Sequence, residues 1–198
     1  MAVDLRELTE NLIRFYDFKG KIVLYVGAGG RQLLNPSVGT KKLIAIDQDG
    51  ESLKELKANM AASALQKSVD VVACRFEDVT LSGDVVYYEF CLHEMNDPRK
   101  SLSHARTLAP DIVVYDHSPD SKWIFYGAEE DKVRSSADAM GRFGIRRRKA
   151  FHTEQRFQDH AELLARLAGQ GEVAIQRAQR FAGATNIAIP MDYEVVLL

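Results

Sequence analysis

Cysteine is nearly absent: Cys74 and Cys91 are the only two in 198 residues. Two thiols can neither build a disulfide framework nor fill a four-cysteine zinc site, and no metal site is predicted. Excess charge is also missing. The 26 basic and 28 acidic side chains leave a net charge of −2, which argues against a nucleic-acid binder driven by global charge. Long apolar runs are missing too. The strongest, Val85 to Leu92, is far short of the roughly 20 residues of a membrane span. The first residues show no charged leader followed by an apolar segment, so no secretory signal is read and a cytoplasmic location is expected. There is no internal repeat, low-complexity stretch or interdomain linker. What remains is ordinary globular composition, and at about 150 residues per domain the length predicts one domain over 1–198.

The hydrophobic pattern alternates between two periods. Leu5, Leu8, Leu12, Ile13 and Phe15 recur at helical spacing, predicting a helix over about 4–17. Lys21 to Val26 is short, apolar and β-branched, as in a buried parallel strand. Gly27-Ala28-Gly29-Gly30 follows at once. Further strands are predicted at Leu43–Ile46, Val69–Cys74, Val85–Glu89 and Ile112–Tyr115. A helix is predicted over about 50–66, and another begins at Asp97-Pro98, with Asp as N-cap and Pro in the first turn. This rhythm of strand and helix predicts an α/β fold: a doubly wound, mostly parallel sheet of Rossmann-like type. Residues 117–153 break it and predict an inserted helical lid that ends in a basic turn, Arg146-Arg147-Arg148-Lys149, read either as a solvated turn neutralised by Glu129, Glu130 and Asp131 or as a site for an anionic substrate, phosphate or RNA. Phe157 to Ala168 reads as the next helix. Val173–Phe181 and Asn186–Leu198 read as an antiparallel C-terminal strand pair joined through Gly183.

Two features carry chemistry. Gly27, Gly29 and Gly30 allow a tight turn and close approach of backbone to a ligand. Asp47 ends the second strand about 20 residues later, the spacing of an acid that accepts hydrogen bonds from ribose hydroxyls. An adenosine-containing ligand is expected. A dinucleotide fingerprint would need glycine where Gln32 stands, and no Gly-Lys-Ser/Thr follows the turn. No phosphate-binding signature is complete, so a nucleoside without phosphates fits better.

At this point the chain resembles the class I S-adenosylmethionine-dependent methyltransferases. The residues that carry the resemblance are Val23-Leu24-Tyr25-Val26-Gly27-Ala28-Gly29-Gly30, Ile44-Ala45-Ile46-Asp47, and the run from Asp84 to Pro98, which contains Leu92-His93-Glu94-Met95-Asn96-Asp97-Pro98. It covers roughly residues 20–116. The resemblance implies a seven-stranded sheet with S-adenosylmethionine as cofactor and S-adenosylhomocysteine as product. Gly27, Ala28 and Gly29 would line the methionine side, Asp47 would hold the ribose, and Gln48 would pack beside the adenine. Phe76, Glu77 and Asp78 would border the ring, and Glu89 would lie near the sulfonium. Two positions depart from the family: Tyr25 stands where an acid is usual, and Arg31 where a third glycine is usual. Glu89 is expected to compensate by pairing with the ammonium group, and Arg31 to reach the carboxylate.

Methyl transfer is an in-line displacement in which the protein mainly binds and orients. A base is needed only if the acceptor loses a proton. His93 and His117 are the candidate catalytic residues, with Glu94 and Asp116 beside them. Trp123, Tyr126 and Phe143 either stack on an acceptor or form the insertion's own core. The short lid favours a small-molecule acceptor. An RNA- or protein-modifying methyltransferase, a non-catalytic binding protein with this fold and a nicotinamide-dependent oxidoreductase are the competing readings. Neither a membrane nor nucleic acid is expected as a partner.

Overall fold

A computed structural model describes residues 4–28, 39–51, 53, 54, 56 and 69–198. The first helix, α1 (Leu5–Phe15), begins where the Asp4 side chain accepts from the N–H groups of Arg6 and Glu7. That cap satisfies donors which have no partner within the helix. Leu8, Leu12 and Phe15 form its buried stripe. Five strands follow: β1 (Ile22–Val26), β2 (Lys42–Asp47), β3 (Val69–Ala73), β4 (Val85–Glu89) and β5 (Asp111–His117). Helix α2 (Pro98–Leu108) precedes β5 and is capped by Asp97, with Pro98 in its first turn. The described residues of the predicted 50–66 helix are helical, and Leu53 and Leu56 are buried. The rest of that helix lies outside the described residues.

Beyond β5 come helices α3 (Lys122–Gly127) and α4 (Glu130–Phe143), strand β6 (Arg147–Asp159), helices α5 (His160–Leu167) and α6 (Glu172–Ala178), and strand β7 (Thr185–Leu197). The described strands form one seven-stranded sheet in the order β3-β2-β1-β4-β5-β7-β6. The first five are parallel, and β7 runs antiparallel to both β5 and β6.

The mostly parallel sheet and its antiparallel pair match the expectation, but three placements differ. The basic turn is the start of β6. Its cations are matched differently from the expectation: Arg146 binds Asp111 and the Leu198 carbonyl, Arg147 lies over the Phe15 ring, and Arg148 pairs with Glu194. Phe157 belongs to β6, and α5 begins only at His160. Val173–Phe181 is helical: Ala174 and Ala178 are the buried residues of α6, four apart, so its apolar run follows the helical period. The antiparallel partner of β7 is therefore β6, and the connection between them contains two helices rather than a short turn.

Alternate side chains of each strand point to opposite faces. Val23, Tyr25, Tyr87, Tyr115 and Tyr193 pack with α1 on one face, while Leu24, Val26, Tyr88, Val114 and Val196 pack with α2 on the other. Among the described residues no helix is long and apolar enough to cross a membrane.

Candidate active site

β1 lies between β2 and β4, so the chain leaves these neighbouring strands in opposite directions along the sheet. In open α/β sheets the crevice outside the carboxyl ends at such a point is where ligands sit. Two adjoining cavities open there. One, of about 350 Å³, is lined by Val26, Ile46, Asp47, Gln48, Phe76 and Glu77 among others. The other, of about 400 Å³, is bordered by Tyr25, Glu89, His93, His117, Trp123 and Glu129 among others. Gly27, Asp47, Cys91 and Glu94 belong to both walls.

The turn after β1 depends on Gly27. Its φ is +74°, and a Cβ there would fall 2.7 Å from both Cβ and Sγ of Cys91. Its N–H and that of Ala28 donate to the Ile46 carbonyl, fastening the turn to β2. Ala28 itself is buried. Across β1 and β4, the Tyr25 hydroxyl donates to the Glu89 carboxylate. Burial, followed by the Glu89 charge, holds the Tyr25 phenol well above its usual range, so it remains a donor. Phe90 follows Glu89 with φ +46°, a left-handed conformation that costs a non-glycine residue energy and often accompanies functional sites. Its ring packs on Tyr115 and His117.

Asp116, at the end of β5, organises the far wall. It is wholly buried and accepts from the His93 ring Nδ1 at 2.6 Å, the His93 N–H at 3.1 Å and the His117 N–H at 2.8 Å. Burial works against its charge, but His93 outweighs it and the carboxyl stays below its ordinary range. Burial likewise pulls His93 down, yet Asp116 and Glu94 push it up to about 10. His117 is the reverse: burial lowers it to about 4, so it is neutral at pH 7, and its buried Nδ1 has no partner. On the far side of His93, Nε2 lies 3.5 Å from Glu94 Oε1, and Lys132 Nζ lies 2.7 Å from Glu94 Oε2. Glu129, at the α3–α4 junction, completes this wall. It is 5% exposed, and burial raises its carboxyl above the usual range.

Trp123, Gln155, Arg166, Gln170 and Met191 also line the larger cavity. Trp123 stacks on Phe157 at 5.9 Å between ring centres. Gln155 donates to Met191 Sδ at 3.1 Å, while its buried Oε1 has no partner.

No family model matches this sequence, and no curated protein sequence does either. Solved structures do match. A provisionally assigned methyltransferase from Bacillus halodurans superposes with a TM-score of 0.71 at 15% identity, covering 96% of each chain. A SAM-dependent methyltransferase from Aquifex aeolicus gives 0.59 at 18% identity, covering all of this chain and 91% of its own. A provisionally assigned RNA methyltransferase from Pyrococcus horikoshii gives 0.60 at 14% identity, covering 98% and 81%. The fold is that of the class I S-adenosylmethionine-dependent methyltransferases.

Within this fold, the structure places the predicted residues as follows. Tyr25, Gly27, Asp47 and Glu89 meet at the larger cavity, and Gln48, Phe76 and Glu77 line the smaller one. His93 and His117 both reach the larger cavity, with ring centres 5.6 Å apart. Gly29 and Arg31 lie outside the described residues. Of the three aromatics, Trp123 reaches the cavity. Tyr126 packs with Phe125 and Phe181, and Phe143 with Arg106. Cys74 and Cys91 are half-buried just beyond the ends of β3 and β4, so β3 stops one residue short of the expected Val69–Cys74. Sequence reasoning missed Gln155, Arg166, Gln170 and Met191, which come from the region whose elements it misplaced. It placed Glu129 beside the basic run, whereas that side chain faces the cavity. The sequence carries no signal for this, since Glu129 is the first of three consecutive acids and only the structure places it at the junction before Glu130.

Proposed function

We propose that this protein is an S-adenosylmethionine-dependent methyltransferase acting on a small-molecule acceptor. The observation that carries this reading is the pair of adjoining cavities at the β1–β4 crevice, joined through Gly27 and Asp47. The residues present fit the cofactor. Phe76, Ile46 and Val26 offer an apolar slot for an adenine, Asp47 offers a carboxylate for ribose hydroxyls, and Glu89 offers one for an ammonium group. Bound there, the cofactor would supply an activated methyl group on a sulfonium.

The chain's own contribution is binding, orientation and exclusion of water. Tyr25 orients Glu89 by its hydrogen bond. His117 has an unpartnered Nδ1 in the cavity wall and, held neutral by burial, is placed to take part in a hydrogen bond with the acceptor. His93 is tied to Asp116, which makes it a positioning residue for this wall. Gln155 offers an unpaired amide oxygen, and Arg166 a cation for an acidic substituent. The helical stretch α3–α4 serves as the lid over the acceptor, with Trp123 as its inward aromatic face. A cavity of about 400 Å³ suits a small molecule. An RNA acceptor would need a free basic surface, and the basic run at the start of β6 is largely engaged within the chain.

Calorimetric titration with S-adenosylhomocysteine and NAD, on the wild type and Asp47→Ala, tests the reading. Binding of the homocysteine product is expected, weakened about 10- to 100-fold in Asp47→Ala, as loss of hydrogen bonds to a charged group implies. Binding of NAD instead would refute it. Turnover with a panel of small acceptors, and not with RNA, would then support the acceptor class.

A further inference from the structure

We propose that His93, Glu94 and Glu129 form a binding site for one divalent first-row transition-metal ion on the acceptor side of the larger cavity. Each residue offers one donor atom, and these atoms lie within 4.8 Å of one another. They come from separate parts of the chain. His93 and Glu94 lie in the short 3-10 turn Leu92–Glu94 after β4, and Glu129 lies between α3 and α4. Ligands bound at about 2.0–2.2 Å around one ion sit about 3 Å apart, so small side-chain rotations close the set.

Three further observations favour an ion over a merely acidic surface. First, Glu129 is 5% exposed and lines the cavity, yet its carboxylate has no hydrogen-bond or ion-pair partner among the described residues. A buried carboxylate without a partner is costly, and metal coordination is one of the few ways to satisfy it. Second, the chain is shaped to accommodate that carboxylate. A Cβ on Gly127 would fall 3.0 Å from Glu129 Oε2, and Ala128 turns the backbone through φ +56°. Third, His93 carries the outer support expected of a metal-binding imidazole. Its Nδ1 is held at 2.6 Å by Asp116, whose second oxygen takes the His93 N–H, which fixes the ring and aims Nε2 at Glu94. Lys132 engages only the other oxygen of Glu94.

One imidazole and two carboxylates make a mixed nitrogen–oxygen set, suited to ions such as Mn²⁺, Fe²⁺ or Zn²⁺. Three protein donors leave coordination positions open towards the cavity, where an oxygen of the acceptor can bind and be polarised. The consequence for the acceptor, an oxygen-bearing group, rests on the methyl-transfer reading; the site itself does not.

Mn²⁺ is the suitable probe, because a hard ion discriminates against the thiol of nearby Cys91. Chelator-treated protein would be titrated with Mn²⁺, following loss of the free-ion electron paramagnetic resonance signal. The expected result is one ion per chain, with affinity weakened at least about tenfold in Glu129→Gln and in His93→Gln, the scale seen when a metal site loses a supporting group. Glu94→Gln, at a side chain 44% exposed, gives the same reading at a position where folding is not at stake. No binding, or binding unchanged in both Glu94→Gln and Glu129→Gln, would overturn the proposal. S-adenosylhomocysteine is titrated into the same wild-type sample. If it fails to bind while Mn²⁺ does, the methyl-transfer reading falls and the ion site stands.

Discussion

Replacing Tyr25 by Phe removes one oxygen atom from the floor of the site, and its effect can be worked out in advance. The ring is wholly buried and stacks on Tyr87 at 5.4 Å between centres, so Phe keeps the packing. What disappears is the hydrogen bond to Glu89, a carboxylate only 5% exposed. Hydrogen bonds to charged groups contribute about 1.5–3 kcal/mol, and burial of both partners leaves little solvent screening to reduce that. For a chain of this size each kcal/mol corresponds to about 2–4 °C, so Tm should fall by about 3–12 °C. Urea denaturation followed by circular dichroism, with thermal scans beside it, measures both quantities. Glu89→Gln and the double variant complete a cycle, in which a coupling of about 1–3 kcal/mol is expected. Affinity for S-adenosylhomocysteine should also fall about tenfold in Tyr25→Phe, because Glu89 loses the donor that orients it. If the single variant stays within about 0.5 kcal/mol of wild type, or the two substitutions simply add, Tyr25 and Glu89 do not act as a unit.

Two other substitutions test the frame around the site. Gly27→Ala should destabilise by about 1–3 kcal/mol from the positive φ alone, and by more because the new methyl meets Cys91; wild-type stability in equilibrium unfolding would contradict that geometry. At the opposite end of the sheet, burial raises the Asp111 carboxyl, but hydrogen bonds from Tyr16 at 2.5 Å and Arg146 at 2.7 Å outweigh it and hold the group below its ordinary range. Its contribution is therefore present above the unfolded value of about 3.9 and is lost as pH falls through the folded one. The stability difference between wild type and Asp111→Asn should be full at neutral pH and shrink in acid, as read by urea midpoints at several pH values; a difference that grows in acid would reverse the sign of this reasoning.

How much was legible follows from where each signal arises. The strands β1, β4 and β5 are covered on both faces, so their central residues are almost all apolar, with polar groups only at the strand ends, and the run itself marks the strand. Gly27 was legible because its positive φ restricts residue type independently of the rest of the fold, and Asp47 because it closes an apolar strand. Strand β6 gave no such signal. It lies at the sheet edge and buries only Gln155 and Phe157. Its remaining positions are free to carry charge, which also discourages pairing with another chain. An edge strand written Arg-Arg-Lys therefore reads as a turn. Helix α6 failed for the opposite reason: Val173 and Ile175 suggest a strand by propensity, while packing selects the small residues Ala174 and Ala178 for its buried face.

These local errors explain why the proposed acceptor side was the less legible part of the site. The proposed cofactor side draws its residues from the ends of β1, β2 and β4 and the turn after β3, elements that the pattern located within one or two residues. The acceptor side draws Trp123 from α3, Glu129 from a helix junction, Gln155 from the edge strand and Arg166 from α5. No sequence period links these four; only the path of the chain after β5 brings them together. Glu129 shows the point most clearly. In the sequence it is the first of three consecutive acids, indistinguishable from a solvated charge run. In the fold, Gly127 leaves room for its carboxylate and Glu129 stands as the cap before α4, whereas Glu130 opens that helix and pairs instead with Arg177 at 2.7 Å. Neighbouring acids thus take opposite roles, one closing a surface ion pair and the other facing His93 across the cavity.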